Sequence, residues 1–161
     1  MIPQTIYLMR HGLATHSTTG YGDTILTATI LPEAIPVVKK IAEYLKDKPT
    51  NANFSSEFLR CKQTAKIVTD ITNKQFEFDK RLNEFYDETF LQFKERLQNF
   101  IEDLEQKNVP HVLICTHGAV IAGLKHLLLR NTVLEENLLD FALPNVLTTI
   151  ENGKIHEIDF S

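Results

Sequence analysis

Two stretches of the chain, Ile6-Tyr-Leu-Met-Arg-His-Gly12 and Val112-Leu-Ile-Cys-Thr-His-Gly118, share one pattern: an apolar run, one polar residue, then His-Gly. A histidine just past a buried strand is held rigidly at the mouth of a sheet. The glycine behind it lets the backbone turn sharply and come close to a ligand. A helix opening at that point, as at Gly118, aims free N–H groups at the same spot and favours an anion there. Arg10 adds a planar fork of donors that matches phosphate oxygens. His11 and His117, delivered by neighbouring strands, would then face one small anionic group. No two histidines have the spacing of a helical metal site, and neither cysteine, Cys61 or Cys115, belongs to a Cys-x-x-Cys pair, so no metal or cofactor is expected. Cys115, inside an apolar run, reads as a small hydrophobe. His16, His111, His126 and His156 read as surface or packing residues, although His16 follows closely enough on His11 to line a pocket.

The elements that must position these residues are legible from hydrophobic spacing. Thr5–Met9 and Val112–Cys115 are continuous apolar runs, as expected of strands covered on both faces. A Gly/Thr/Ser-rich loop spans Gly12 to Thr27. Ile35, Val38, Ile41, Ala42 and Leu45 mark one face of a helix whose start is obscured by Pro32 and Pro36, since proline inside a helix removes a hydrogen bond and clashes with the preceding turn. Asn51–Ser55 is a short strand ending in serines able to cap a helix over Phe58–Ile71. A short strand near Phe76–Phe78 leads to a loop through Glu84. Phe90, Phe93, Leu97, Ile101 and Leu104 then define the clearest amphipathic helix, and Ala119–Leu129 is a mostly apolar one. Asn152-Gly153 between Val146–Ile150 and Ile155–Phe160 signals a hairpin. Alternating strands and helices predict a three-layer α/β/α sandwich with a largely parallel sheet and a C-terminal antiparallel hairpin. Ligands bind such sheets beyond the carboxyl ends of the strands, where both His-Gly pairs fall.

Composition narrows the class. The 161 residues, 43% hydrophobic and 24% charged, suit one globular domain over residues 1–161 with a core that needs no disulfides. Acidic residues outnumber basic ones 21 to 17, for a formal charge of −4 with no basic cluster, so neither nucleic acid nor an anionic membrane is an expected partner. The N-terminus lacks a secretory pattern and no apolar run approaches a membrane span, which predicts a cytoplasmic protein. Oligomeric state is not readable from these features.

Four motifs in order, Arg10-His11-Gly12, Ser55-Ser-Glu-Phe-Leu-Arg60-Cys-Lys-Gln-Thr64-Ala65, Leu82-Asn-Glu84 and Thr116-His117-Gly118, resemble the histidine phosphatase superfamily, the phosphoglycerate-mutase-like proteins. Each is weak alone; together they cover nearly the whole chain. The resemblance implies that His11 is the nucleophile that carries the phosphoryl group. Arg10 and Arg60 would hold the phosphate oxygens, and His117 would contact the same oxygens. Glu84 would protonate the leaving oxygen and then help activate water. Elementary chemistry agrees with these roles. A histidine attacks phosphorus only with an unprotonated ring nitrogen, and nearby arginines lower its pKa while neutralising the phosphate. Phosphoryl transfer asks mainly for positioning and charge stabilisation, which two His and two Arg supply without a metal in principle.

The chain also departs from that family. Where many members continue Arg-His-Gly with an acidic residue or Gln and a hydroxyl residue, and place Asn further on, this sequence has Leu13, Ala14 and Ser17. Loop contacts to phosphate would fall to Ser17, Thr18 or Thr19. Leu26-Thr27-Ala-Thr-Ile30 keeps part of a Leu-Thr-x-x-Gly motif, with Ile in place of the glycine. The mutases that the chain resembles carry a long insertion after the acid that encloses a bisphosphate. The short stretch after Glu84 predicts an open site and hydrolysis instead. The expected activity is therefore metal-independent hydrolysis of a small phosphomonoester through a phosphohistidine. Two alternatives stand beside it: a phosphohistidine-protein phosphatase, whose compact relatives tend to lack the acid, and an inactive module that binds a phosphate ligand.

Overall fold

The structure is a computed structural model and describes residues 2–17, 19–140 and 143–161. Thr18, one of the loop hydroxyls named above, lies outside them. Six strands form one sheet in the order β3-β2-β4-β1-β5-β6. β1 (Thr5–Arg10), β2 (Ala52–Ser55), β3 (Glu77–Phe78) and β4 (His111–Thr116) pair in parallel. β5 (Val146–Glu151) runs antiparallel to β1, and β6 (Lys154–Asp159) antiparallel to β5. The predicted sandwich and C-terminal hairpin are the architecture found.

Alternation along the strands divides the core in two. Ile6, Leu8, Phe54, Val112, Ile114 and Ile150 face helices α3 (Phe90–Lys107) and α4 (Gly118–Arg130). Tyr7, Met9, Leu113, Cys115 and Leu147 face α1 (Ile35–Leu45) and α2 (Leu59–Thr72). Because both faces of β1 and β4 are covered, these strands read as unbroken apolar runs rather than as alternating ones. Cys115 is buried in the core, as expected of a small hydrophobe.

Local chemistry explains the boundaries. α1 is preceded by a 3-10 turn over Pro32–Ala34, and Pro36 falls in the first turn of the helix, where its missing N–H would have had no intrahelical partner. α3 opens on a capping box in which the Thr89 side chain accepts from the Gln92 amide and the Gln92 side chain accepts from the Thr89 amide. Asn152 and Gly153 both have positive φ, 51° and 75°, as a two-residue hairpin turn requires. One expectation needs correcting. The serines after β2 do not cap α2, whose N-cap is Phe58 with no side-chain cap; both are buried, and the Ser56 hydroxyl is drawn into the site described below. A 3-10 turn at Glu135–Leu139 was not foreseen, since no periodicity marks so short an element. Among the described residues, no helix is long and apolar enough to cross a membrane.

Candidate active site

The register of the two central strands builds the site. Thr5 pairs with His111 and Arg10 with Thr116, so β1 and β4 end level, and the next residue of each, His11 and His117, emerges side by side. The His11 amide donates to the Thr116 carbonyl at 3.1 Å, continuing the ladder one step past Arg10. The two imidazoles lie with centroids 5.2 Å apart and planes at 62°, both almost wholly buried. Gly12 has no room for a side chain: an added Cβ would sit 3.0 Å from Val38 Cγ2 and 3.3 Å from Ala34 Cβ. Its amide donates to Thr64 Oγ1 at 2.9 Å, which ties the turn behind His11 to α2. Gly118 is the first residue of α4, whose N-cap is His117, so that helix opens directly beside the second imidazole.

Arg60, on the first turn of α2, lies fully buried between the two rings. Its Nε donates to His11 Nε2 at 3.3 Å and its Nη2 to His117 Nδ1 at 3.3 Å. Its Nη1 donates to the Ile25 carbonyl, and the guanidinium carbon stands 4.0 Å from the centre of the Tyr21 ring. Arginine has only donors, so both imidazole nitrogens it meets carry lone pairs. His11 Nδ1 therefore bears the proton, donated to the Gly12 carbonyl at 2.8 Å, and Nε2 presents a lone pair to the site. Burial, with Arg10 and Arg60 close by, pulls the His11 pKa down to about 3 against the opposing pull of the Gly12 bond. In His117 the proton sits on Nε2 and is donated to Ser56 Oγ at 2.9 Å. The Ser56 hydroxyl donates in turn to Asn83 Oδ1 at 3.0 Å and accepts the Phe58 amide at 3.1 Å. Burial lowers the His117 pKa well below its ordinary value, and the charges of His11, Arg60, Arg10 and Arg96 act in the same sense.

Glu84 arrives on a loop held at several points. Thr116 Oγ1, at the end of β4, donates to the Leu82 carbonyl at 2.6 Å. Arg96 on α3 donates to the carbonyls of Arg81 and Glu84 and pairs with Glu88 at 2.6 Å. The Glu84 carboxylate accepts the Phe85 amide at 2.9 Å, and its Oε2 lies 3.8 Å from His117 Nδ1. Burial raises its pKa, although the Phe85 amide and the charges of Arg60, Arg10 and Arg96 pull the other way. A carboxyl group whose proton is favoured by desolvation suits proton donation. Arg10 ends β1, half-buried, and its charge bears on His11, His117 and Glu84 alike.

His11, Arg10, Arg60, Glu84, His117 and Gly118, expected from dispersed motifs, thus converge. Ser17 does not join them in the same way. Its hydroxyl accepts the Ala14 amide at 2.9 Å and bonds the Tyr21 hydroxyl at 3.0 Å, bracing the loop from within. His16 is exposed with φ of 67° and bonds Thr19 rather than lining the site. Several contributors had no assigned role in the sequence reading. Ser56, Asn83 and Thr64 stand inside the recognised motifs, yet nothing in their spacing says what they bond. Tyr21 and Arg96 lie outside the motifs, and only the fold brings them in. Cys61 Sγ comes within 3.5 Å of His117 Nε2, and burial raises that thiol's pKa well above its ordinary value, which keeps it protonated and inert.

Comparison with known proteins bears on the family and the fold. A family model for the histidine phosphatase superfamily (branch 1) matches residues 6–86 and 83–151. No curated protein matches the sequence significantly. Among solved structures, the α-ribazole phosphatase from Shigella flexneri is similar with a TM-score of 0.77 at 18% identity, over 96% of this chain and 95% of that one. The protein histidine phosphatase SixA complexed with tungstate aligns with a TM-score of 0.68 at 18% identity, over 96% and 94%. The phosphoglycerate mutase from Bacillus anthracis does so with 0.67 at 16%, over 97% and 93%. At such identities these likenesses establish the fold and not a reaction. The matched family model spans both His-Gly strands, the Arg60 helix and the Glu84 loop, and the chain belongs to the histidine phosphatase superfamily.

Proposed function

We propose that this protein is a metal-independent phosphatase that hydrolyses a small phosphomonoester through a phosphohistidine on His11. In the first step the His11 Nε2 lone pair attacks phosphorus and the ester P–O bond breaks. The leaving oxygen takes its proton from Glu84. In the second step water attacks the phosphohistidine and gives a proton to the Glu84 carboxylate. The P–N bond breaks with its electron pair returning to Nε2, and inorganic phosphate leaves. Arg10, Arg60 and the N-terminus of α4 at Gly118 carry the oxygen charge in both steps, and His117, with its Nε2 proton held by Ser56, positions the Arg60 guanidinium through its Nδ1 lone pair.

The observation that carries this reading is the neutral, acceptor-bearing His11 Nε2 at 3.3 Å from the Arg60 guanidinium, in a buried cluster that also holds a carboxyl group of raised pKa. α3 begins at Phe90, soon after Glu84, which leaves no room for a long covering insertion between them and favours hydrolysis over transfer to a second substrate. The phosphohistidine-protein reading draws on the likeness to SixA. Glu84 counts against it, because a phosphoramidate leaves without strong acid assistance. The inactive-module reading draws on Leu13, Ala14 and a Ser17 hydroxyl spent within its own loop.

The test is a single-turnover reaction with a radiolabelled phosphomonoester, quenched in alkali. Label should remain on the wild-type protein, be lost in acid as a phosphohistidine requires, and be absent from His11→Ala. Steady turnover should persist in excess chelator. Undiminished turnover in His11→Ala refutes the nucleophile, and phosphate binding without turnover of any ester favours the inactive module. A phosphohistidine protein turned over far faster than every ester favours the protein-phosphatase reading.

A further inference from the structure

A cavity of about 450 Å3 opens beside Glu84, lined by Leu26, Phe58, Tyr86, Lys80, Arg81 and Arg96 among others. Its volume lies in the range of small-molecule sites. It adjoins the phosphate site, since Glu84 lines it and the Phe58 ring in its wall stands 5.4 Å from the His117 ring and 5.5 Å from the Arg60 guanidinium carbon. It lies on the Glu84 side of that site, where an acid would meet the leaving oxygen. Leu26 and Tyr86 are about half exposed, 51% and 50%, so neither has the core as its partner. Leu26 is nonetheless fixed in place, because its carbonyl accepts the Leu59 amide at the start of α2.

The charges around this cavity are largely spent. Arg81 pairs with Asp79 at 2.6 Å and Asp103 at 3.1 Å, and Arg96 with Glu88 at 2.6 Å. The remaining lining charges are Lys80 on one side and Asp87 and Glu84 on the other, so the wall carries no net positive excess. Among the described residues, no lining guanidinium is left unpaired to grip a second phosphate or a carboxylate. The walls instead offer two aromatic rings and a leucine, surfaces that favour a flat apolar group.

We propose that the leaving group is an alcohol bearing an aromatic ring, seated between Phe58, Leu26 and Tyr86, and that esters carrying a second anionic group are poor ligands. The inference rests on the hydrolytic reading for which side of phosphorus the alcohol occupies, but its test does not need turnover.

Calorimetry with phosphonates, which the protein cannot hydrolyse, measures recognition alone. On the wild type, 2-naphthylmethylphosphonate should bind at least about tenfold tighter than methylphosphonate, and 3-phosphonopropionate no tighter than propylphosphonate. In Tyr86→Ala and Leu26→Ala the aromatic advantage should shrink by roughly threefold or more, with methylphosphonate affinity unchanged. A carboxylated phosphonate that outbinds the naphthyl compound overturns the proposal, as does an aromatic advantage untouched in both variants. Should either variant fail to fold, the wild-type ranking still decides. Failure of the hydrolytic reading would appear separately, as absent label transfer to His11, and would leave these affinities standing.

Discussion

The buried, neutral state of His11 makes a quantitative demand on the stability of the ligand-free protein. Its pKa falls from 6.5 to about 3 on folding. Between those values the unfolded chain binds more protons than the folded one, so stability rises with pH and is lost as pH falls. From pH 7 to pH 5 the loss attributable to this one group is about 2 kcal/mol, saturating near 5 kcal/mol below its folded pKa. His117, also lowered, adds to the slope in the same sense. Glu84 opposes it, because a raised carboxyl pKa makes the folded state gain protons first as pH falls. Comparing wild type with His11→Asn cancels most of what the two share. Urea unfolding in phosphate-free buffer at several pH values between 7 and 5 should show the wild type losing about 2 kcal/mol more than the variant over that interval. Parallel pH profiles, differing by less than about 0.5 kcal/mol across the interval, would mean that His11 titrates normally. The argument for a nucleophile held neutral by its surroundings would then fail.

Three further outcomes follow from named contacts. Glu84→Gln should slow alkyl phosphates by about 10²–10⁴-fold while sparing aryl phosphates with good leaving groups; equal slowing of both would remove Glu84 as the acid. Ser56→Ala keeps the Cβ but leaves the His117 Nε2 proton and the Phe58 amide without their oxygen. It should cost about 2 kcal/mol in denaturant unfolding and lower kcat, and a neutral effect on both would mean that Ser56 does not orient the ring. Gly12→Ala should cost about 1–3 kcal/mol and disturb His11, because Val38 is β-branched and the Ala34 Cβ cannot rotate away from the new methyl group. A thermally unchanged Gly12→Ala protein with full activity would show that α1 can retreat at no cost.

Much of the architecture was legible because burial on two faces leaves a coarse signature. The continuous apolar runs of β1 and β4, the spacing of Phe93, Leu97 and Leu104 on α3, and Asn152-Gly153 each name an element through a short-range rule. The start of α1 was ambiguous because two prolines allow more than one local solution, and packing selected a 3-10 turn followed by the helix. The serines after β2 misled because a hydroxyl near a helix start caps as readily as it bonds elsewhere. Here a buried imidazole and Asn83 claimed Ser56. The location of Ser17 in the loop behind His11 said nothing about where its hydroxyl would turn, and Ala14 and Tyr21 hold it within that loop.

From the order of residues alone came the identities of the reacting groups and the strand ends that carry them, because both depend on local pattern and on the chemistry of each side chain. Only the tertiary structure decided the pairing of Arg10 with Thr116, which sets His11 and His117 level, and the burial that strips water from them. It also decided the tautomers. Those follow from a single Arg60 guanidinium reaching both rings, an arrangement of groups distant along the chain. Desolvation and hydrogen-bond direction are properties of such assembled surroundings, so no short stretch of sequence contains them.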